Sequence, residues 1–334
     1  MFPRRLLPFF ILSFSLGGVR ALADFGDLGA GARAPGMAGA FTAIADDASA
    51  VAYNPAGLVQ LRETQVTAQY GEILRGLTDG SKVDSNFLAI AAPLKDGRWG
   101  SVAAALRNFQ GADLFTDRAI SLAYAREVPS AWLNAPGRVS LGAVATKFDR
   151  RYGSDLYTND ALNDTGLGTG QADPLFARKG RGRDAVLIDA GALYRFGAGS
   201  RFSAGLAAMN IGRDVDPAPP SISAGVAFRP RWGALSAEWR QTKRLAGSGD
   251  ADALFGAERD FSLSNDQRLT VRAGYGQGSR GFRTITAGLS FAVSRLRLDY
   301  AFDIPLGALA DAGGGHRAAL SFGFGEPRPS ADNK

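Results

Sequence analysis

The residues with the clearest potential for binding chemistry fall in one stretch rich in Gly and Ala, residues 26–61. They are a pair of adjacent carboxylates and a four-residue turn sequence: Asp46, Asp47, Asn54, Pro55, Ala56 and Gly57. Pro55 disfavours the α conformation at Asn54, and Gly57 tolerates a positive φ, so the turn has a fixed shape. One hypothesis is that the carboxylates and the Asn54 amide bind cationic groups on a surrounding wall and release them when a ligand arrives. The other is that Asp47 only caps a turn and Asn54-Pro55 only set the chain direction.

No set of residues points to catalysis. His316 is the only histidine and there is no cysteine, so thiolate and multi-histidine metal sites are not expected. No Gly-x-Ser-x-Gly sequence precedes a helical pattern. The sequence therefore predicts a protein that is not an enzyme and uses no cofactor. A hydrolase that places His316 beside Ser321 is a minor alternative, and a Ca²⁺ site among the carboxylates of residues 151–182 stays open.

The first residues read as a secretory signal peptide, residues 1–23. Arg4 and Arg5 precede an apolar segment that is too short to span a bilayer, and Ala21-Leu-Ala23 is a cleavage sequence. Without this segment the formal charge of +6 falls to about +3. No cluster of Lys and Arg alternates with aromatic residues, so nucleic-acid binding is not expected.

From residue 64 onwards, apolar and polar residues alternate with a period of two, which is typical of β-strands. In residues 295–303 (RLRLDYAFD) one face carries only leucine and aromatic residues, and the other carries charges of both signs. Such strands fit a wall between lipid and a polar lumen. The pattern predicts fourteen strands, at 64–74, 84–93, 99–110, 117–127, 138–150, 183–196, 201–211, 220–229, 233–243, 251–259, 267–275, 282–292, 295–303 and 316–324.

The same alternation directs charged side chains into the predicted lumen: Arg268, Arg272, Arg295, Arg297 and Asp299. These arginines either bind an anionic headgroup or pair with inward acids such as Asp303 and Glu238, and pairing is the usual arrangement for ionisable groups inside membrane proteins.

The predicted fold class is all-β, a transmembrane antiparallel β-barrel of about 14 strands with an N-terminal plug segment. The predicted divisions are a signal peptide at 1–23, the plug at 24–61, the barrel at 62–325 and a polar tail at 326–334. The plug should fill the lumen, since wall side chains alone do not close a barrel this wide. Long connections such as 151–182 alternate with tight turns, which predicts a bacterial outer-membrane protein with both chain ends in the periplasm.

Residues 31–58 (GARAPGMAGAFTAIADDASAVAYNPAGL) resemble the N-terminal signature of a superfamily of bacterial outer-membrane barrels. That superfamily includes the FadL-type long-chain fatty acid transporters and the PorV/PorQ family. Residues 298–307 (LDYAFDIPLG) and 315–322 (GHRAALSF) are similar to the PorV-like C-terminus, and Asn210-Ile-Gly212 also fits. Ala318-Ala319 interrupts the usual spacing in the second of these segments.

The resemblance implies one of two functions. A PorV/PorQ-type barrel acts in protein export or cargo binding at the outer membrane, with secretion-system components or exported proteins as partners. A FadL-like barrel is instead a channel for uptake of hydrophobic small molecules such as long-chain fatty acids. The C-terminal residues and the chain length favour the PorV/PorQ function, and either barrel contacts outer-membrane lipid.

Overall fold

The structure is a computed structural model. It describes residues 29–74, 82–129, 132, 136–153, 168–171, 176–177, 180–212, 218–244, 249–281, 283–306 and 313–325. The predicted signal peptide, the predicted tail and most of the 151–182 loop lie outside these residues, so the Ca²⁺ site considered there stays untested.

Fourteen antiparallel strands form one closed barrel, which confirms the predicted fold class. Each strand pairs with its neighbours in sequence, and β1 pairs with β14, so the wall has no free edge. The strands are β1 Thr64–Leu74, β2 Val83–Pro93, β3 Ser101–Gly111, β4 Phe115–Glu127, β5 Arg138–Tyr152, β6 Gly182–Phe196, β7 Phe202–Met209, β8 Ser221–Phe228, β9 Gly233–Thr242, β10 Asp250–Ser262, β11 Gln267–Gly278, β12 Arg283–Val293, β13 Leu296–Leu306 and β14 Gly315–Phe324.

The strands alternate between a lipid-facing and a lumen-facing side. In β12, Ile285 and Leu289 are exposed on the outside, whereas Thr286 and Ser290 are buried inside. Large apolar side chains cover the outer surface of the other strands as well, for example Leu298 at 53% exposure. This inside-out arrangement suits a barrel that is solvated by lipid. Among the described residues, no helix is long and apolar enough to cross a membrane.

The connections divide into two rims. The connections that follow even-numbered strands form the short-turn rim, at 94–100, 128–137, 197–201, 229–232, 263–266 and 294–295. The connections that follow odd-numbered strands form the long-loop rim, which includes the connection 153–181. Outer-membrane barrels have short periplasmic turns and longer extracellular loops, so the short-turn rim is expected to face the periplasm.

Residues 29–61 lie inside the barrel and form the plug. The plug contains the 3₁₀ turns Pro35–Met37, Ala48–Ala52 and Pro55–Gln60. The first turn packs against β10 to β13, the second against β1 to β3, and the third mainly against β4 to β6, so the plug meets most of the wall. Phe41 and Leu58 are completely buried within it. Small residues make up most of the plug, and they let its backbone approach the wall closely.

Candidate functional site: the plug, its anchors and the cavity beside it

Asp47 and Asn54 each cap a 3₁₀ turn. The Asp47 carboxylate accepts hydrogen bonds from the Ser49 amide at 3.0 Å and from the Ser49 hydroxyl at 2.5 Å. The Asn54 side-chain oxygen accepts from the Ala56 amide at 3.1 Å. Asn54 has an extended backbone, φ −151° and ψ 101°, as expected for a residue before proline. Both side chains therefore fix the local shape of the plug.

Asn54 also joins the plug to the wall. Its amide nitrogen donates to the Thr42 carbonyl at 2.8 Å and to the Ala192 carbonyl of β6 at 3.0 Å. A Cβ atom at Gly191 would lie 2.1 Å from the Asn54 side-chain oxygen, so only glycine fits at this wall position. Pro55 follows directly and is buried with Asn54.

Glycine is required at position 57 because there is no room for a side chain, and not because of its backbone conformation. It does not have the positive φ that the turn sequence suggested. Instead, a Cβ atom at this position would lie 1.9 Å from the Ala45 carbonyl oxygen, because two segments of the plug cross here. Ala56, the residue before it, is completely buried.

A network of charged side chains connects the plug to β10, β11 and β13. Arg33 of the plug contacts Asp46 and lies 3.4 Å from Asp47. It also binds Glu258 on β10 through two hydrogen bonds, of 2.7 and 3.1 Å. Arg297 on β13 binds Asp47 at 3.2 Å. Arg229, directly after β8, lies 3.4 Å from Asp46, so ion pairs join the plug to the barrel at three places.

Wall residues complete the network. Arg272 binds Glu258 at 3.0 Å and Asp299 at 3.1 Å, and Arg297 binds Asp299 at 2.7 Å. Asp299 is 1% exposed, so its charge is compensated entirely by protein groups. Buried ion pairs of this kind hold only while every partner is present, since an unpaired buried charge is strongly destabilising.

The network also sets the protonation state of Asp47. Burial by itself would raise the pKa of Asp47, but the Arg297 and Arg33 guanidinium groups outweigh burial and hold the pKa below its usual value. Asp47 is therefore a carboxylate at neutral pH, and its attraction to the two arginines is fully present there.

A second set of anchors binds the plug backbone between β7 and β9. The Glu238 carboxylate accepts hydrogen bonds from the amides of Phe41 and Thr42 at 2.9 and 2.8 Å. The hydroxyls of Ser203 and Ser236 donate to plug carbonyls, each at 2.7 Å. These polar side chains replace water around backbone groups that the barrel would otherwise leave buried and unpaired.

The structure brings some of the predicted lumen residues together and leaves others apart. Arg272, Arg297 and Asp299 meet inside the barrel, and their arrangement is one of paired charges. Arg268 points inward by alternation but is exposed at the short-turn rim. Arg295 was assigned to the lumen incorrectly. It lies in the turn before β13, where strand alternation no longer directs its side chain, and it is exposed.

The two residues of the minor hydrolase alternative, His316 and Ser321, do not come together in one site. His316 and Ser321 are an odd number of residues apart on β14 and so lie on opposite faces of the strand. His316 contacts Tyr300 on the outer face, whereas Ser321 is buried inside and hydrogen-bonded to Thr67 at 2.9 Å. A histidine and a serine on opposite sides of the wall cannot act on one substrate.

A cavity of about 420 Å³ lies between the plug and the long-loop rim. Apolar side chains of β1, β2 and β6 line one side, among them Ile73, Phe87 and Leu187. Charged side chains line another side, where Arg240 on β9 binds Glu238 at 2.8 Å and Arg244, two residues after β9, contacts Asp250 on β10. Val51 and Tyr53 of the plug complete the apolar lining. The cavity therefore combines apolar surface with charged groups, some paired as above and others, Arg107, Asp189 and Arg283, without an ion pair among the described residues.

Solved outer-membrane channels share this architecture. The Ralstonia pickettii toluene transporter TbuX aligns over 89% of this chain and 99% of its own, with a TM-score of 0.59 and 13% identity. The fold is that of the FadL-like outer-membrane channels. The CymD monoaromatic hydrocarbon channel aligns over 91% of this chain and all of its own at 13% identity, with a TM-score of 0.56. A Pseudomonas aeruginosa FadL homologue gives the same coverage and identity, with a TM-score of 0.54.

At such low identity the likeness to FadL-like channels establishes the fold alone. No protein-family model matches the sequence, and no curated protein matches it either. The chain is nevertheless similar to these channels along nearly their whole length.

Sequence reasoning missed the residues that seat the plug. Arg33 lies within the resembling segment but was not singled out, and Glu258 is the next-to-last residue of the predicted strand 251–259, whose pattern is weak. One signal was present: Gly191, a lumen-facing glycine in a strand, marks a place where another backbone approaches closely.

Proposed function

We propose that the protein is an outer-membrane channel that admits a hydrophobic small molecule through the cavity beside its plug. The observation that carries the proposal is the combination of a plug anchored across the lumen and an apolar-sided cavity on its long-loop side. A closed barrel with a filled lumen prevents leakage of solutes into the cell, and the cavity provides a binding site for a selected molecule.

The dimensions and lining of the cavity support this function. Its volume of about 420 Å³ falls in the range of small-molecule sites, roughly 300–1,000 Å³. The ion pairs Arg240–Glu238 and Arg244–Asp250 balance charge on one side of the cavity, and the apolar side chains Ile73, Phe87 and Leu187 on the other side give a hydrophobic occupant a surface to pack against. The named neighbours include a toluene transporter and a monoaromatic hydrocarbon channel, which are channels for apolar molecules.

The export function of the PorV/PorQ type stays a prediction from the C-terminal sequence. No feature of the described residues favours it over the channel, and the cavity is better explained by a small-molecule cargo. We therefore place uptake of a hydrophobic small molecule first.

A matched pair of variants on one strand tests the channel. Ser121 lines the cavity, whereas Leu122 faces the lipid at 65% exposure. Cells that express Ser121→Trp should take up radiolabelled toluene more slowly than wild type, because the indole ring occupies cavity space. Cells that express Leu122→Trp should match wild type, since Trp is tolerated on the outer surface.

Surface amounts of both variants are compared by heat-dependent gel mobility of the folded barrel. Equal uptake by folded Ser121→Trp and wild type, or wild-type uptake no faster than that of cells without the protein, would count against a hydrocarbon channel.

A further inference from the structure

Unpaired positive charge is concentrated at one end of the barrel. Exposed cations at the short-turn rim are Arg62, Lys95, Arg98, Arg126, Arg201, Arg231, Arg259, Arg268 and Arg295. Within the described part of the chain, none of them lies within ion-pair distance of a carboxylate. The other half of the barrel has fewer such cations among the described residues, for example Lys82, Arg118 and Lys147, and several of its arginines form pairs such as Arg150–Asp117 at 2.6 Å and Arg151–Asp149 at 2.7 Å. In the part of the chain that the structure describes, the short-turn rim therefore carries many cations without an ion pair, although Glu127 binds Arg138 and Arg195 there and Glu63, Asp96 and Asp266 also lie on it.

Three of these arginines lie side by side on neighbouring elements. The Arg201 carbonyl accepts a hydrogen bond from the Arg229 amide at 2.7 Å, which places the 197–201 and 229–232 turns next to each other. The Asp260 amide donates to the Trp232 carbonyl at 2.8 Å, which places Arg259 beside the second turn. Arg201, Arg231 and Arg259 thus form one segment of the rim, which we call the arginine patch.

Exposed aromatic rings surround the arginine patch. Phe202, Trp232 and Phe261 are 43%, 46% and 39% exposed. The Arg259 guanidinium lies 5.2 Å from the centre of the Phe261 ring. Aromatic side chains on the outside of a barrel mark the level of the lipid headgroups. Arg259 and Phe261 also share the lipid-facing side of β10, so this guanidinium points towards headgroups and away from the lumen.

We propose that the arginine patch binds the phosphate of an anionic phospholipid in the periplasmic leaflet. Guanidinium groups bind phosphate through two parallel hydrogen bonds, and neighbouring aromatic rings pack against the glycerol and acyl carbons. An acidic protein would need cations directed into the periplasm, whereas Arg259 lies on the membrane-facing surface. The proposal does not depend on what the channel transports.

The test measures lipid-dependent thermal stability of the purified full chain in neutral detergent. Phosphatidylglycerol should raise the unfolding temperature of wild type at a lower concentration than phosphatidylethanolamine does. The triple variant Arg201→Gln/Arg231→Gln/Arg259→Gln should need up to about a hundred-fold more phosphatidylglycerol for the same shift. The factor follows because each cation near an anionic surface contributes about 1 kcal/mol of binding free energy, and a change of 1.4 kcal/mol alters affinity tenfold.

A charge-matched control removes three exposed cations from the other half of the barrel, Lys82→Gln/Arg118→Gln/Lys147→Gln. This control should respond to phosphatidylglycerol as wild type does, and 1 M salt should abolish the preference of both proteins for the anionic lipid. Equal responses of wild type to the two lipids, or an unchanged response of the arginine-patch variant, would overturn the lipid assignment. Binding of an acidic periplasmic protein to the arginine patch in place of lipid would also overturn the lipid assignment.

Discussion

Removal of the Arg33 guanidinium should unseat the plug without unfolding the barrel. Arg33 is in contact with three carboxylates, those of Asp46, Asp47 and Glu258. In the variant Arg33→Met these groups keep their burial and lose their shared partner. None of the hydrogen bonds between strands involves this side chain, so the wall itself should remain intact.

The size of the effect follows from the burial of the network. Glu258 is 7% exposed and Asp47 3% exposed, so water cannot replace the lost guanidinium without movement of the plug. Breaking a buried ion pair costs about 3–5 kcal/mol when the remaining charge is left unpaired. Glu258 keeps Arg272 and Asp47 keeps Arg297, so this figure is the upper limit for Arg33→Met. The population of unseated plug should therefore rise by up to roughly two to three and a half orders of magnitude.

The assay is single-channel recording in planar bilayers, with heat-dependent gel mobility as the measure of barrel folding. Arg33→Met should show frequent openings where wild type is nearly silent. The control Arg295→Met removes an exposed arginine from a turn and should behave as wild type. A folded Arg33→Met barrel that is as silent as wild type would refute the idea that this network seats the plug.

Three further perturbations test other parts of the structure. Leu298→Arg should weaken folding into bilayers by about 2–4 kcal/mol if the residue lies near the midplane, whereas Leu298→Phe should have little effect; equal folding of the two variants would contradict the assigned register. Gly191→Ala places a Cβ atom 2.1 Å from the Asn54 side-chain oxygen and should increase conductance. Gly225→Ala, whose new Cβ atom would have its nearest neighbour at 3.3 Å, should not. Similar conductance of the two variants would argue against close plug–wall contact at β6. The pKa of Asp47 is held below its usual value, so its contribution to plug seating should be complete above about pH 4. That contribution should decline only as the pH falls through the lowered pKa. Wild-type conductance that already rises between pH 7 and pH 5 would contradict this assignment.

The barrel was predictable from sequence because its strands obey a simple two-residue period. A lipid-facing residue and a lumen-facing residue must alternate along every strand, and this requirement appears directly in segments such as 283–293. Even the weak strand at 251–259 was located correctly, although it extends to Asp250–Ser262. Strand ends were less accurate, as at Arg295, since a turn residue can show the same alternation as a strand.

The plug anchors were not predictable in the same way. Asp47 and Asn54 were recognisable as residues that fix turns, because capping depends on nearby residues. Their wall partners, Arg297 and the Ala192 carbonyl, lie far away in sequence and become neighbours only when the barrel closes. No local pattern specifies which lumen-facing arginine meets which plug carboxylate.

The most direct test of the account is the conductance of a barrel without most of its plug. A variant that lacks residues 27–52 but keeps 53–61 retains the Asn54 anchor and the turn Pro55–Gln60. It should fold, as judged by heat-dependent gel mobility, and conduct ions steadily in planar bilayers, because wall side chains alone do not close fourteen strands. The full chain should be nearly silent under the same conditions. A deletion variant that folds and is as closed as the full chain would contradict the claim that this segment seals the lumen.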